Sequence, residues 1–351
     1  MEQPPIRYAR SPDGVRLAYQ DFGDGPPFVF VAFCPFSHVQ REMEIPEARR
    51  YLMELARTSR VIRYDGRGNG LSDRNATDFS LDAQVRDLEA VIDHLALERV
   101  ALLGASIAAP AAITYAALHP ARVSHLILWH AYASGADLFG STLGAASTLA
   151  DTDWELFTQT LAHVAIGWEQ GDLAREYAAM VRAAVDKNAL IGEIPSMFSS
   201  YDVRRHLAHI QAPTLVLARR GPEPAAESAR VLASAIPNAR LMILEPGPPV
   251  PYVGDSEAVL EAGRQFLASD SATLAPALDD RAPAPLTVRE TEVLSLLAGG
   301  HTGKEIAHEL SVSLSTAQRH IANIYAKIGA RGRVDAAAYA LARGLVRPRE
   351  S

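Results

Sequence analysis

Val100-Ala-Leu-Leu-Gly-Ala-Ser-Ile-Ala-Ala-Pro-Ala-Ala-Ile-Thr-Tyr-Ala-Ala-Leu118 runs for nineteen residues without a charge, long enough to raise the question of a membrane span. Gly104, Ser106, Pro110 and Thr114 argue against one. They divide the run into a buried strand up to Leu103, a tight turn over Gly104-Ala105-Ser106-Ile107-Ala108, and an Ala-rich buried helix from near Pro110. A strand-to-helix elbow of this kind lifts a serine hydroxyl above the edge of a sheet.

Outward from that elbow, short apolar runs separated by helix-length segments recur from Val15 onward: Phe28–Phe33, Val61–Tyr64, Val100–Leu103, Leu126–Trp129, Thr214–Ala218 and Leu241–Leu244. The alternation predicts an α/β architecture, a mostly parallel sheet covered on both faces. Ligands on such sheets sit beyond the carboxyl ends of the strands. A helical cap is expected between Asp137 and Tyr201, where Trp154, Phe157, His163, Trp168, Met197, Phe198 and Tyr201 are large enough to line a pocket or to form core.

At 351 residues the chain suits two domains. Residues 1–268 form the sensing domain of this reading, 269–285 a linker with three prolines and no periodicity, and 286–351 a helical head. The single cysteine, Cys34, excludes an internal disulfide and fits a reducing cytoplasm. Met1–Gly14 has no apolar core of the signal-peptide kind. No internal repeat is present, and neither a metal nor a cofactor is expected.

The head follows from local rules. Thr287-Val-Arg-Glu290 and Thr302-Gly-Lys-Glu305 are both Thr-x-x-Glu, the reciprocal capping pattern of a helix start. A third helix is expected from Ser313–Ser315, where a hydroxyl can cap it. It carries Ala317, Ile321, Ile324 and Ile328 on one inward stripe. At about 100° per residue, Ser315, Gln318, Arg319, Ala322 and Ala326 then face outward, with Lys327 on a flank. Small and hydrogen-bonding residues on that arc suit a helix in the major groove of double-stranded DNA, where Gln pairs with adenine and Arg with guanine edges. The preceding helix, Lys304–Leu310, would cross the backbone. A fourth helix, Arg333–Arg343, stops at Gly344 and offers a dimer seam.

Charge divides the same way. From Leu286 onward there are nine Lys/Arg against six Asp/Glu, whereas the preceding residues carry 25 against 35. So modest a basic surplus points to a homodimer presenting two basic faces, with strongly salt-dependent affinity.

Leu286-Thr-x-Arg-Glu-x-Glu-Val-Leu, Lys304-Glu-Ile-Ala, Ser315-Thr-x-x-x-His320-Ile-x-Asn-Ile-Tyr-x-Lys-Ile and Gly344-Leu-Val resemble the LuxR-type DNA-binding domain over its whole length. The resemblance implies that Gln318, Arg319 and Ala322 face base edges, that Thr316 and Lys327 approach phosphates, and that Lys304 belongs to the DNA-binding surface. Gln318 and Gly303 depart from the family's usual Lys and Asn, which bears on operator preference.

Gly25-Pro-Pro-Phe-Val-Phe-Val, Arg63-Tyr-Asp65-Gly-Arg67-Gly-Asn-Gly70-Leu-Ser-Asp73 and His119-Pro-x-Arg-Val, taken with the elbow, resemble the α/β-hydrolase fold over roughly Arg7–Leu267. Members of that family hydrolyse with Ser, acid and His in chain order. Ser106 stands at the serine position. At the histidine position, on the family's Pro-Gly…His-x-Pro-Trp loop, this chain reads Pro246-Gly-Pro-Pro249-Val-Pro251-Tyr252, and no histidine lies between Ile210 and Gly300. The acid turn reads Arg220-Gly221-Pro222, with Glu223 one residue on. Loss of the base removes several orders of magnitude of rate, so no catalytic residue is assigned and Ser106 is a relict nucleophile.

The expectation is therefore a cytoplasmic, ligand-responsive transcription regulator, no longer an efficient enzyme. Its sensing domain holds a small, largely apolar molecule bearing a carbonyl, ester or lactone, contacted by Phe33, Cys34, Ser106, Ile107, Trp154, Met197 and Phe198. The loop amides near Phe33 and Ile107 would donate to the carbonyl oxygen. Asp65 and Arg67 are read as fold stabilisers. Two alternatives stay open: an active serine esterase fused to the DNA-binding domain, with His38 or His130 as an unrecognised base, and a domain that only dimerises and docks proteins. For the head, Arg319→Ala should narrow the affinity gap between operator and random DNA, whereas Lys327→Ala should weaken both about equally. Anisotropy titrations giving equal losses for the two variants would remove Arg319 from base reading.

Overall fold

The charge-free stretch folds as β5 (Val100–Ala105), a short turn over Ser106–Ala108, and α4 (Ala109–Leu118). This is a computed structural model that describes residues 3–139, 149–188, 201–221, 225–269, 288–298, 301–310 and 312–328. The other strands are β1 (Arg7–Arg10), β2 (Arg16–Phe22), β3 (Pro27–Phe30), β4 (Arg60–Tyr64), β6 (Val123–Trp129), β7 (Thr214–Arg219) and β8 (Ala239–Leu244). Among the described residues they form one sheet in the order β1-β2-β4-β3-β5-β6-β7-β8. From β4 to β8 neighbours are parallel, while β1 and β2 join antiparallel at one edge. The expected run Phe28–Phe33 is strand only to Phe30, so Phe33 belongs to the loop beyond the sheet.

Alternating side chains along each strand supply two cores. Ala101, Leu103, Ile127, Trp129, Leu215 and Leu217 point to the face covered by α2 (Pro46–Leu55) and the helix Ser256–Ala268. Val100, Leu102, Leu126, Leu128 and Val216 point to the face covered by α3 (Leu81–His94), α4 and the helix Ala225–Ala235. Every residue of α4 from Ala109 to Ala116 is buried, which accounts for the absence of charge in the opening stretch. Gly104 permits that closeness: a Cβ there would meet the Ala112 Cβ at 2.7 Å and the Ala109 Cα at 3.0 Å. Ser106 is left at φ +45°, a conformation side chains rarely adopt.

The glycine-rich turn after β4 is held by the two residues read as stabilisers. Asp65 accepts the N–H groups of Val39 (2.8 Å) and Leu71 (2.9 Å), and its burial raises its pKa to about 6. Arg67 is forked onto Asp87 (2.9 and 2.7 Å) and reaches Asp13 (2.8 Å). Within the expected cap, the helices Trp154–Ile166 and Gly171–Ala184 pack against each other. Met197 and Phe198 lie outside the described residues, as does most of the linker.

The chain divides into two compact units, Met1–Pro276 and Ala277–Ser351. In the second, the described helices are Val288–Ala298, Gly303–Glu309 and Leu314–Ile328. Thr302 and Glu305 form the expected capping box, and the Ser313 hydroxyl accepts the Thr316 N–H at 3.1 Å. Ala317 and Ile324 are fully buried with Val293, Leu294 and Ile306, whereas Lys304, Gln318 and Arg319 are exposed. Thr287, the fourth helix and the side chains of Ser315, Ala322 and Lys327 fall outside the described residues. No helix among the described residues is long and apolar enough to cross a membrane.

Candidate functional site

A cavity of about 210 Å³ opens beyond the carboxyl ends of β3 to β6 and is roofed by the two cap helices. The loop after β3 contributes Phe33, the elbow Ser106, β6 Trp129, the cap Leu161 and Tyr177, and the loop after β8 the run Pro249–Tyr252. Among the described residues the Phe33 N–H has no backbone partner. It therefore stands as a donor beside the elbow, the place from which this fold stabilises a carbonyl oxygen. The Ser106 hydroxyl likewise has no hydrogen bond among the described residues.

The segments after β7 and β8 are joined by an unusual set of contacts. Arg219, the last residue of β7, is 3 % exposed. Its guanidinium donates to the carbonyls of Pro248 (2.6 Å), Val253 (2.7 Å) and Asp255 (2.9 Å). It also lies over the Trp129 ring, 5.5 Å from the ring centre. The Trp129 indole N–H in turn donates to the carbonyl of Pro249 at 2.6 Å. In a hydrolase triad the acid and the histidine link these same two segments. Here a guanidinium and an indole hold the backbone of a proline-rich loop.

Neither histidine considered as a substitute base is free. His130 follows β6 with φ +45°, and its Nε2 accepts the N–H of Arg219 at 3.0 Å. Burial, then the neighbouring Arg219 charge, pull its pKa down to about 4. His38 caps α1 (Val39–Glu42), its Nδ1 accepting the Arg41 N–H at 3.3 Å, and burial lowers its pKa as well. His130 belongs to the cavity wall and His38 does not.

Of the expected ligand contacts, Phe33 and Ser106 line the cavity. Three described residues stand elsewhere. Cys34 turns its sulfur to the Asn69 amide (3.2 Å) beneath the glycine-rich turn. Ile107 is buried in the core behind the elbow. Trp154 stacks on Phe157, with ring centres 5.5 Å apart. Residues that the sequence reading passed over are Glu42, Tyr51, Arg63, Tyr177 and Tyr252, all on the cavity wall. Arg63 carried a signal, being a charge inside an apolar strand, where an unpaired ion is costly.

The family model described as alpha/beta hydrolase fold matches residues 46–252, and the one described as bacterial regulatory proteins, luxR family, matches residues 284–340. The AB hydrolase superfamily protein YisY of Bacillus subtilis (strain 168) is 31% identical over 218 residues, covering 60% of this chain and 79% of that protein. The transcriptional regulatory protein LiaR of the same organism is 47% identical over 55 residues, 16% of this chain and 26% of that protein. The solved structure described as "Est816 as an N-Acyl homoserine lactone degrading enzyme" superposes with a TM-score of 0.62 at 25% identity, over 74% of this chain and all of that one. The enol-lactonase from Burkholderia xenovorans LB400 shares the fold with a TM-score of 0.62 at 19% identity, over 75% of this chain and 100% of its own.

The His130 contact has a pH consequence. The folded protein refuses a proton that the unfolded chain accepts near pH 6.5, so this site withdraws stability as pH falls from 6.5 toward about 4. An NMR titration of the imidazole should show a midpoint near 4. A midpoint at the ordinary histidine value would mean that Nε2 is not held by Arg219.

Proposed function

We propose a function from two premises: the chain belongs to the alpha/beta hydrolase fold family, and its carboxyl-terminal domain belongs to the luxR family of bacterial regulatory proteins. The second premise makes the protein a DNA-binding transcription regulator. On this reading the first domain is its sensor, a hydrolase fold that holds a small, largely apolar molecule and does not cleave it.

The observation that carries the reading is the loop after β8. The resemblance assigns the base position to Pro249, and this reading is supported by the contacts there: its carbonyl is taken by Trp129, and Arg219 fixes the segments on either side. A serine without a base is a poor nucleophile at neutral pH. The cavity beside Ser106 nevertheless stays open and is walled mainly by aromatic and aliphatic groups, as ligand sites are. A carbonyl, ester or lactone oxygen suits the Phe33 and Ile107 amides. The lactone named for Est816 supports that chemistry as a starting class. Ligand binding changes DNA affinity only by favouring one arrangement of sensor and head over another. A homodimer on two half-sites fits the modest basic surplus of the head.

One observation favours the rival esterase: Ser106 keeps the strained elbow conformation. A panel of long-chain esters, lactones and ketones, screened by melting temperature and for turnover, separates the readings. The sensor predicts that at least one compound stabilises the protein, by about 2.7 kcal/mol at a hundred times its Kd, with no turnover that Ser106→Ala removes. Ser106-dependent ester hydrolysis would establish the enzyme instead. A panel without a single binder would leave a domain that only assembles or docks.

A further inference from the structure

Two strands away from the elbow the cavity wall turns polar. Arg63 on β4 and Tyr252 on the loop after β8 both line the cavity, 4 % and 7 % exposed. Each buries an atom that makes no bond within hydrogen-bonding distance, Nη1 of Arg63 and the Tyr252 hydroxyl, although the Glu42 carboxylate stands near the latter. The other terminal nitrogen of Arg63 donates to Glu42, the last residue of α1 and also part of the wall. The ring of Tyr51 lies 6.5 Å from that of Tyr252 and closes the corner. Because β3 separates β4 from β5, and Arg63 is level with Leu103, the Arg63 backbone is displaced from Ser106 by roughly 10 Å across the strands and further along them.

Such a corner is costly in an empty protein. An unmade buried hydrogen bond costs about 1–3 kcal/mol, and folded proteins leave few of them. Glu42 already balances the Arg63 charge, so what the corner lacks is an acceptor and not an anion. A carboxylate would leave a surplus negative charge beside Glu42 in an apolar cavity. Burial raises the Tyr252 phenol well above its ordinary pKa, so the hydroxyl remains a donor at neutral pH. Arg63 Nη1 and Tyr252 Oη are thus two donors on the wall of the same cavity.

We propose that Arg63 and Tyr252 form a second polar subsite for an uncharged carbonyl oxygen of the ligand, separate from the one at the elbow. The ligand class is then an extended apolar chain carrying an oxygen acceptor toward each end, on the order of 10 Å or more apart. This rests on the reading of the cavity as a ligand site and narrows it.

The test uses the full-length protein and two probes of equal chain length: the eleven-carbon methyl ketone, and the eleven-carbon diketone with a carbonyl next to each terminal methyl. The wild type should bind the diketone at least about five-fold more tightly, as even one added hydrogen bond predicts, although the diketone is the more water-soluble probe. Tyr252→Phe should remove most of that advantage. The free variant should melt close to the wild-type temperature, since the deleted hydroxyl makes no bond within hydrogen-bonding distance. Equal affinities in the wild type, an advantage that survives Tyr252→Phe, or a markedly lowered melting temperature of the free variant would each overturn the subsite while leaving the sensor reading standing. Failure of both ketones to bind the wild type would overturn the two together.

Discussion

The bonds from Arg219 to the loop after β8 are the constraint on which the sensing domain depends. Four of the six residues Pro246–Pro251 are proline, and a proline offers a carbonyl but no N–H. A loop built this way has acceptors to satisfy and few donors of its own, so the structure must bring donors to it. Arg219 brings a guanidinium from the end of β7 and Trp129 brings an indole N–H from the end of β6. The Arg219 backbone N–H is committed as well, to His130. Three consecutive layers of the site, strand end, histidine and loop, are therefore locked by a single residue and its neighbour across the sheet.

That lock bears on chemistry. An acid–histidine pair in the same place can accept a proton from the serine and return it, because imidazole titrates near neutral pH. A guanidinium bound to carbonyls cannot, since it is already fully protonated and its partners accept only hydrogen bonds. The fold keeps its cavity, its elbow and the amide of Phe33, and on the reading proposed above it exchanges the proton-transfer pathway for a rigid wall. On the account proposed here, this is the difference between a site that turns molecules over and one that holds them long enough to bias a DNA-binding partner domain. Linkage then sets a simple limit. The DNA affinity can shift by no more than the ligand's differential affinity for the arrangements it distinguishes.

Much of this was legible in the residues. Periodicity and the nineteen-residue uncharged stretch gave the parallel sheet and α4, because a helix buried all round has to be apolar all round. The Thr302 capping box and the Ala317–Ile324 stripe gave the head. What could not be read was direction. Ile107 sits in the elbow and Cys34 next to Phe33 in the loop after β3, yet the local geometry sends both side chains into the core. Glu42, Arg63 and Tyr252 come from three separated segments that only the fold brings to one corner. The antiparallel strands β1 and β2 were also missed, since β1 is a largely exposed edge strand whose apolar pattern is too weak to register.

The measurement closest to the central claim is whether Ser106 is chemically alive. A fluorophosphonate phosphonylates a serine only where a base activates it and donors receive the developing charge. Incubated with such a reagent in excess beside an active serine hydrolase as control, the protein should keep its unmodified intact mass while the control is labelled to completion. A stoichiometric adduct mapped by peptide mass spectrometry to Ser106 would contradict the account, because the site would then possess the proton acceptor that Pro249 and Arg219 are argued to have displaced.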